Sequence, residues 1–310
     1  MKRIVILTTL LLVLPCLALG AGFAKVGTFG GQELKIGVSA RATGMGSAFT
    51  GVADDATAVF WNPGGLVNVR SNEVSVNHVA WAADTKLSTA VVAFNPRSIP
   101  GTFAFSVRSF WMDPQLVRTA YNPEGTGETF DAGTTTFGLT YARFFTDKFS
   151  AGATVNYLHM GLAETAVNTG SLDFGIMYRI GIKDLKLGMT IQHLGGKFTF
   201  DERESKLPVA FKVGASMNAF RNDKQRMTLA FEFQHPSDNL ERANVGLEYG
   251  LNEMFFVRSG YHINYDSDGL AFGFGAGLPT GENTKIAADY SAVDMDALGY
   301  VHRFTVSVTY

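Results

Sequence analysis

Cysteine is almost absent from this 310-residue chain: the one thiol, Cys16, falls within the first twenty residues. Once that stretch is removed, no disulfide framework and no thiolate metal centre is available. Charge is also scarce. Asp, Glu, Lys and Arg together make 17%, about two-thirds of the usual share, and the net charge is −2 with no basic run. That composition gives no electrostatic footprint for nucleic acid. After residue 20 there is no apolar run long enough for a membrane-spanning helix. A membrane location would therefore require a closed barrel, because only helices and barrels satisfy every backbone group in lipid.

What is present begins with Lys2 and Arg3, an apolar run from Ile4 to Leu19, and small residues at Ala18 and Gly20. That charged, apolar, small order predicts a secretory signal over residues 1–20. Cys16 would be the acylated residue of a lipoprotein, but Pro15 stands before it where a small residue is needed.

From about residue 72 onward the chain alternates apolar and polar residues in segment after segment. In the last, Phe304, Val306, Val308 and Tyr310 share one face, and Arg303, Thr305, Ser307 and Thr309 the other. The same two-residue period runs through Met227–Gln234, Ala243–Tyr249, Leu185–Gln192 and Phe149–Asn156. About fourteen such segments of roughly nine to eleven residues are counted, an even number of the length a tilted membrane strand needs. Their centres fall near residues 77, 90, 106, 139, 154, 175, 189, 213, 230, 246, 257, 274, 288 and 305.

The links between segments alternate in character. Short ones are expected at 96–101, 146–148, 181–184, 221–224, 251–253 and 279–283. More variable ones are expected at 83–85, 112–133, 161–170, 195–206, 235–240, 264–269 and 293–298. Short periplasmic turns and longer outer loops give this pattern, and an even strand count puts both termini on the periplasmic side. The fold class predicted is all-β: a 14-stranded antiparallel transmembrane barrel over residues 72–310, in the bacterial outer membrane. The expected surroundings are outer-membrane lipid and lipopolysaccharide. The closing strand, with Phe304, Val306, Val308 and Tyr310, is the expected signal to the barrel-assembly machinery.

Residues 21–71 do not alternate, and are expected to form a hatch or plug inside the barrel. Asp54 or Asp55 is placed to cap a short helix through Phe60, which Pro63 would end. Arg41, Met45, Phe49, Phe60, Trp61, Asn62, Pro63 and Gly64 are the candidate hatch and ligand residues, with the four large apolar side chains expected to line a hydrophobic site. Gly273, Gly275 and Gly277 copy a nucleotide-loop spacing, but they alternate with Phe272, Phe274, Ala276 and Leu278. They therefore read as one face of a strand, turned to the lumen if the aromatics face lipid. There they either let a ligand or another backbone approach closely, or ease curvature.

The stretch GVSARATGMGSAFTGVADDATAVFWNPGGL resembles the N-terminal signature of the PorV/PorQ family, whose architecture is similar to that of the FadL long-chain fatty acid transporters. YARFFTDKFSAGATVNYL, VGLEYGLNEMFFVRSGY and GYVHRFTVSVTY resemble the same family, so the similarity covers nearly all of the chain after the signal. Asn62-Pro63-Gly64 matches the Asn-Pro-Ala turn of FadL-like plugs, with glycine for alanine. The resemblance implies a fourteen-stranded barrel with an N-terminal hatch. It also implies one of two roles: passage of a hydrophobic ligand, or carriage of a secreted cargo protein in type IX secretion.

Nothing points to an enzyme. The six histidines, at 78, 159, 193, 235, 262 and 302, have no metal-ligand spacing, and no cofactor is expected. No serine–histidine pair is placed together by the sequence. Asp54 and Asp55 read as a cap more readily than as an acid–base pair. Asp238, Asp266, Asp268, Asp294 and Asp296 read as solvated loop charges in preference to a cation bridge to lipopolysaccharide.

Overall fold

The computed structural model describes residues 26–310 except Arg97, Asp201, Asp268 and Glu282. The expected signal segment, 1–20, lies outside the described residues.

All fourteen expected strands are present and close into one barrel. They are β1 (Glu73–Ala80), β2 (Lys86–Phe94), β3 (Thr102–Trp111), β4 (Ala132–Phe144), β5 (Phe149–Leu162), β6 (Thr165–Ile180) and β7 (Leu185–Gly195), followed by β8 (Ala210–Arg221), β9 (Gln225–Pro236), β10 (Arg242–Leu251), β11 (Phe255–Ile263), β12 (Leu270–Pro279), β13 (Lys285–Asp294) and β14 (Tyr300–Thr309). Each pairs antiparallel with its neighbours in sequence. β1 closes the ring on β14, with Glu73 opposite Thr309 and Ala80 opposite His302. Closure leaves no unpaired edge, which is what hydrocarbon surroundings demand.

The two-residue period decides the faces. Outward positions carry exposed apolar side chains, among them Phe105, Leu139, Val155, Phe174, Val257, Phe274, Phe304 and Val306. Inward positions carry buried polar ones, such as Asn77, Thr140, Asp173, Gln192, Glu248 and Arg303. This is the reverse of a soluble sandwich, and it makes the outer surface one for lipid. Aromatic clusters mark the short-turn end: Phe94 stacks on Phe103, which meets Tyr141 at a tilt, and Phe220 meets Tyr249 at a tilt. Interfacial girdles of this kind anchor barrels at the headgroup level.

Strand length departs from the expected nine to eleven residues. β5 and β6 have 14 and 16 residues. The expected loop over 161–170 is mostly strand, since β5 and β6 stay paired as far as Leu162 opposite Thr165. The long links at 112–131 and 196–209 also carry structure of their own. Gln115–Leu116 pairs with Thr129–Phe130, and Lys197–Phe200 pairs with Arg203–Lys206.

Residues 34–69 run through the lumen and touch the inner face of all fourteen strands. The short helix α1 (Ala40–Gly44) lies against β11 to β14. The 3₁₀ turn Ala56–Phe60 lies against β1 to β3, and the turn Pro63–Asn68 lies against β3 to β7. Between them Gly51 meets β8, Met45 meets β10, and the backbone N–H groups of Phe49 and Thr50 donate to Glu232 on β9. Asp55 caps the first 3₁₀ turn by accepting from Thr57 N–H. Pro63 is expected to end that turn; instead the turn stops at Phe60 and Pro63 opens a second one, at the position where its missing N–H costs nothing, with Asn62 as cap.

The direction of the segment corrects a second expectation. Gly30 N–H donates to Lys206 O, and Lys35 pairs with Asp238 at 2.8 Å, both at the long-loop end. The described chain therefore starts at the end opposite to Glu73 and Tyr310, and crosses the lumen before β1 begins.

Candidate functional site

The site is the lumen, and the first question is how a chain of ordinary width sits inside it. The answer is glycine in register. Three cross-strand pairs, Gly246–Gly260, Gly188–Gly214 and Gly152–Gly175, face inward. Each receives a stretch of N-terminal backbone. Met45–Gly46 lies on the first pair, Thr50–Gly51 on the second and Pro63–Gly64 on the third. A Cβ on Gly214 would stand 2.7 Å from Gly51 N, and one on Gly152 would stand 2.5 Å from Pro63 O. Gly273 completes the set by meeting Gly44. Gly275 and Gly277 face instead the side chains of Arg258, Asp289 and Lys285. The glycine row thus admits backbone at one position and charged side chains at the other two.

Asn62-Pro63-Gly64 is built into the wall. Asn62 Nδ2 donates to Thr50 O at 2.8 Å and to Ile176 O at 3.0 Å, while its Oδ1 accepts from Gly64 N–H. A methyl on Gly64 would lie 2.6 Å from Gly175 O. Glycine in place of alanine at this turn therefore follows from how closely it meets β6.

Ionic contacts tie the segment to the strands. Arg41 donates to Asp54 at 2.7 Å, Asp55 at 2.8 Å and Glu248 at 2.9 Å. Glu248 also accepts from Arg226 and Arg258, and Arg258 reaches Asp289 at 2.6 Å. Lys186 pairs with Asp54 at 3.3 Å. At the other end Asp238 accepts from Lys35 and Gln32 and is 2% exposed, so it is a buried anchor and not the solvated loop charge expected. Asp266 does remain exposed, and Asp268 lies outside the described residues. Among the described residues no cluster of His, Cys, Asp and Glu is arranged to hold a metal.

The segment divides the lumen. On the long-loop side is a cavity of about 240 Å³ whose walls include Phe60, Trp61, Trp81, Arg108, Lys212 and Arg303. On the short-turn side are cavities of about 220 and 520 Å³, both reached by Arg41 and Asp54. Of the four apolar residues expected to line a ligand site, only Phe60 and Trp61 do so. Met45 and Phe49 are fully buried between the segment and the wall, where Phe49 meets Trp61 edge to face at 5.9 Å. Nor is the outer cavity uniformly hydrophobic. Ile36, Val38 and Met295 cluster with Trp81, and Arg108, Lys212 and Arg303 line the same cavity, Arg303 5.5 Å from the Trp81 ring centre. These cations lie on strands far apart in sequence, so only the register of the closed barrel brings them together. Their one sequence signal was a basic residue at an inward position of an alternating strand.

Phe304 and Val306 point outward and are about half exposed, Val308 is half-buried, and Tyr310 N–H donates to Asn72 O at 2.9 Å.

With that geometry in view, comparison with known proteins is informative about architecture. No family model matches the chain, and no curated protein matches it. Solved structures do. A Pseudomonas aeruginosa FadL homologue is 12% identical over 89% of this chain and 98% of its own, with a TM-score of 0.56. The Ralstonia pickettii toluene transporter TbuX is 13% identical over 87% and 96%, with a TM-score of 0.60. The CymD monoaromatic hydrocarbon channel is 10% identical over 88% and 96%, with a TM-score of 0.58. The likeness is one of fold. Closed, belted with apolar side chains and FadL-like in architecture, the chain is a bacterial outer-membrane β-barrel.

Proposed function

We propose that this barrel admits small hydrophobic molecules through the outer membrane, with residues 34–69 acting as a plug that excludes polar solutes. The observation that carries the reading is the division of the lumen. A backbone segment touching all fourteen strands separates an outer cavity with an apolar side from two inner ones. A barrel so obstructed is a poor pore for water-soluble molecules. An outer cavity flanked by Phe60, Trp61 and Trp81 still offers an apolar solute a place to leave water. The shared fold with a toluene transporter and a monoaromatic hydrocarbon channel supports the same reading.

The test is uptake of a labelled arene by cells with and without the protein, alongside a small sugar as leak control. Arene uptake should rise with the protein, and sugar uptake should not. Trp61→Ala should slow the arene while leaving barrel assembly intact. If arene uptake never depends on the protein, while surface display of a secreted cargo does, the passage reading fails and the type IX secretion role takes its place.

A further inference from the structure

The outer cavity offers more than apolar surface. Lys35, Arg108, Lys212, Arg242 and Arg303 line it, against the carboxylates of Glu232 and Asp266. Several of these charges are already committed. Lys35 is held by Asp238. Arg108 donates to Glu33 O and Ile36 O, and Arg303 donates to Gly37 O, so both serve to fix the entering backbone. Glu232 spends one oxygen on the N–H groups of Phe49 and Thr50.

Two cations remain turned to the cavity. Lys212 sits with its Nζ 5.1 Å from the centre of the Trp61 ring, and among the described residues no carboxylate stands within ion-pair distance of it. Arg242 lies 4.4 Å from the Tyr265 ring, has no hydrogen-bond partner at Nε, and meets the exposed Asp266 only at 3.9 Å. A cation on an aromatic face keeps part of its charge available to an anion on its open side. Ile36, Val38, Trp81 and Met295, which pack against one another, line the same cavity. The cavity thus offers an apolar cluster and unspent positive charge together.

We infer that the outer cavity takes an aromatic carboxylate: a single ring against the apolar cluster, its carboxylate between Lys212 and Arg242. This deepens the passage reading and rests on it. Size suits the ring. A dry cavity of about 150 Å³ holds benzene, so about 240 Å³ has room for a ring with a carboxylate. A long alkyl chain would lie only partly within that space. A neutral arene would leave Lys212, half-buried over the Trp61 ring, with no anion facing it.

The experiment is calorimetric titration of the full-length barrel in lipid nanodiscs with benzoate, toluene and palmitate. Benzoate should bind, toluene at least tenfold more weakly, and palmitate no better than toluene. Lys212→Met should weaken benzoate at least tenfold and leave toluene unchanged. Arg242→Gln should act in the same direction, and heat-modifiable migration identifies the folded variants. Equal binding of toluene and benzoate, tight binding of palmitate alone, no binding of benzoate, or indifference of benzoate to both substitutions overturns the inference. If cells take up neutral arenes while the barrel fails to bind benzoate, this inference falls and the passage reading stands. If benzoate binds as described while no arene enters cells, the passage reading falls alone.

Discussion

Gly44 and Gly273 meet backbone to backbone: a Cβ on Gly44 would stand 3.0 Å from the Cα of Gly273, and one on Gly273 would stand 3.1 Å from the Cα of Gly44. The contact seats helix α1 on β12. A larger side chain at either residue must push the helix off the wall, and overpacking of this kind costs about 1–3 kcal/mol. Gly273→Val should therefore lower the temperature of the heat-modifiable transition and raise sugar leak. Gly277→Ala is the control on the same face, because the atoms its Cβ would meet belong to the flexible Lys285 side chain and to Ala287. Equal effects of the two substitutions would remove the seating role from Gly273.

Glu248 is the centre of the ionic cluster, 1% exposed and bonded to Arg41, Arg226 and Arg258. Glu248→Gln leaves three guanidinium groups facing a neutral amide. Removing one partner of a buried pair costs about 3–5 kcal/mol. Because Arg41 and Arg226 are 16% and 21% exposed, the lower end is expected. Thermal unfolding in detergent measures it, and a transition unchanged from wild type would show that the cluster adds no stability.

The inner half of the design was harder to see in the sequence than the outer half. Alternation such as Phe304, Val306 and Val308 against Arg303, Thr305 and Ser307 states the strand and its lipid face locally, so strand count and order were legible. The glycine pairs were not. Gly188 and Gly214 look like weak points in separate strands until register sets them opposite one another. Met45 and Phe49 are large and apolar, which fits a ligand site in the sequence, but the same property suits them to fill the space between segment and wall. Lys212 and Arg242 are silent in the sequence because a basic residue at one inward position says nothing of what faces it across a barrel.

The closing strand allows a direct test of its faces. Val306 points to lipid and is about half exposed. An arginine there near the midplane costs about 2–4 kcal/mol. Val306→Arg should slow or block insertion into liposomes, whereas Thr305→Arg, on the lumen face, should act through crowding of Ala40 and Asn77 and not through lipid. The signature is dependence on bilayer thickness for the first variant only. Normal insertion of Val306→Arg would mean the faces are reversed.

Asp238 gives a pH dependence. Burial opposes its charge, but hydrogen bonds from Lys35 and Gln32 outweigh that and hold its carboxyl below the usual carboxylate range. A depressed folded value contributes stability that is complete above the unfolded value, about 3.9, and is lost as pH falls through the folded one. The stability difference between wild type and Asp238→Asn should be full at pH 7 and shrink as pH falls below about 4. A difference constant across that range would show that the Lys35–Asp238 pair is not the source.

The central claim is that the lumen passes apolar solutes past a segment that stops polar ones. Paired fluxes into proteoliposomes test it most directly, with a labelled arene and a sugar of similar size measured on the same preparation. The account predicts protein-dependent arene entry with sugar entry at the background of empty vesicles, and sugar entry rising when residues 34–69 are deleted from a barrel that still folds. Sugar passing the intact protein as fast as the arene, or neither solute passing above background, would contradict it.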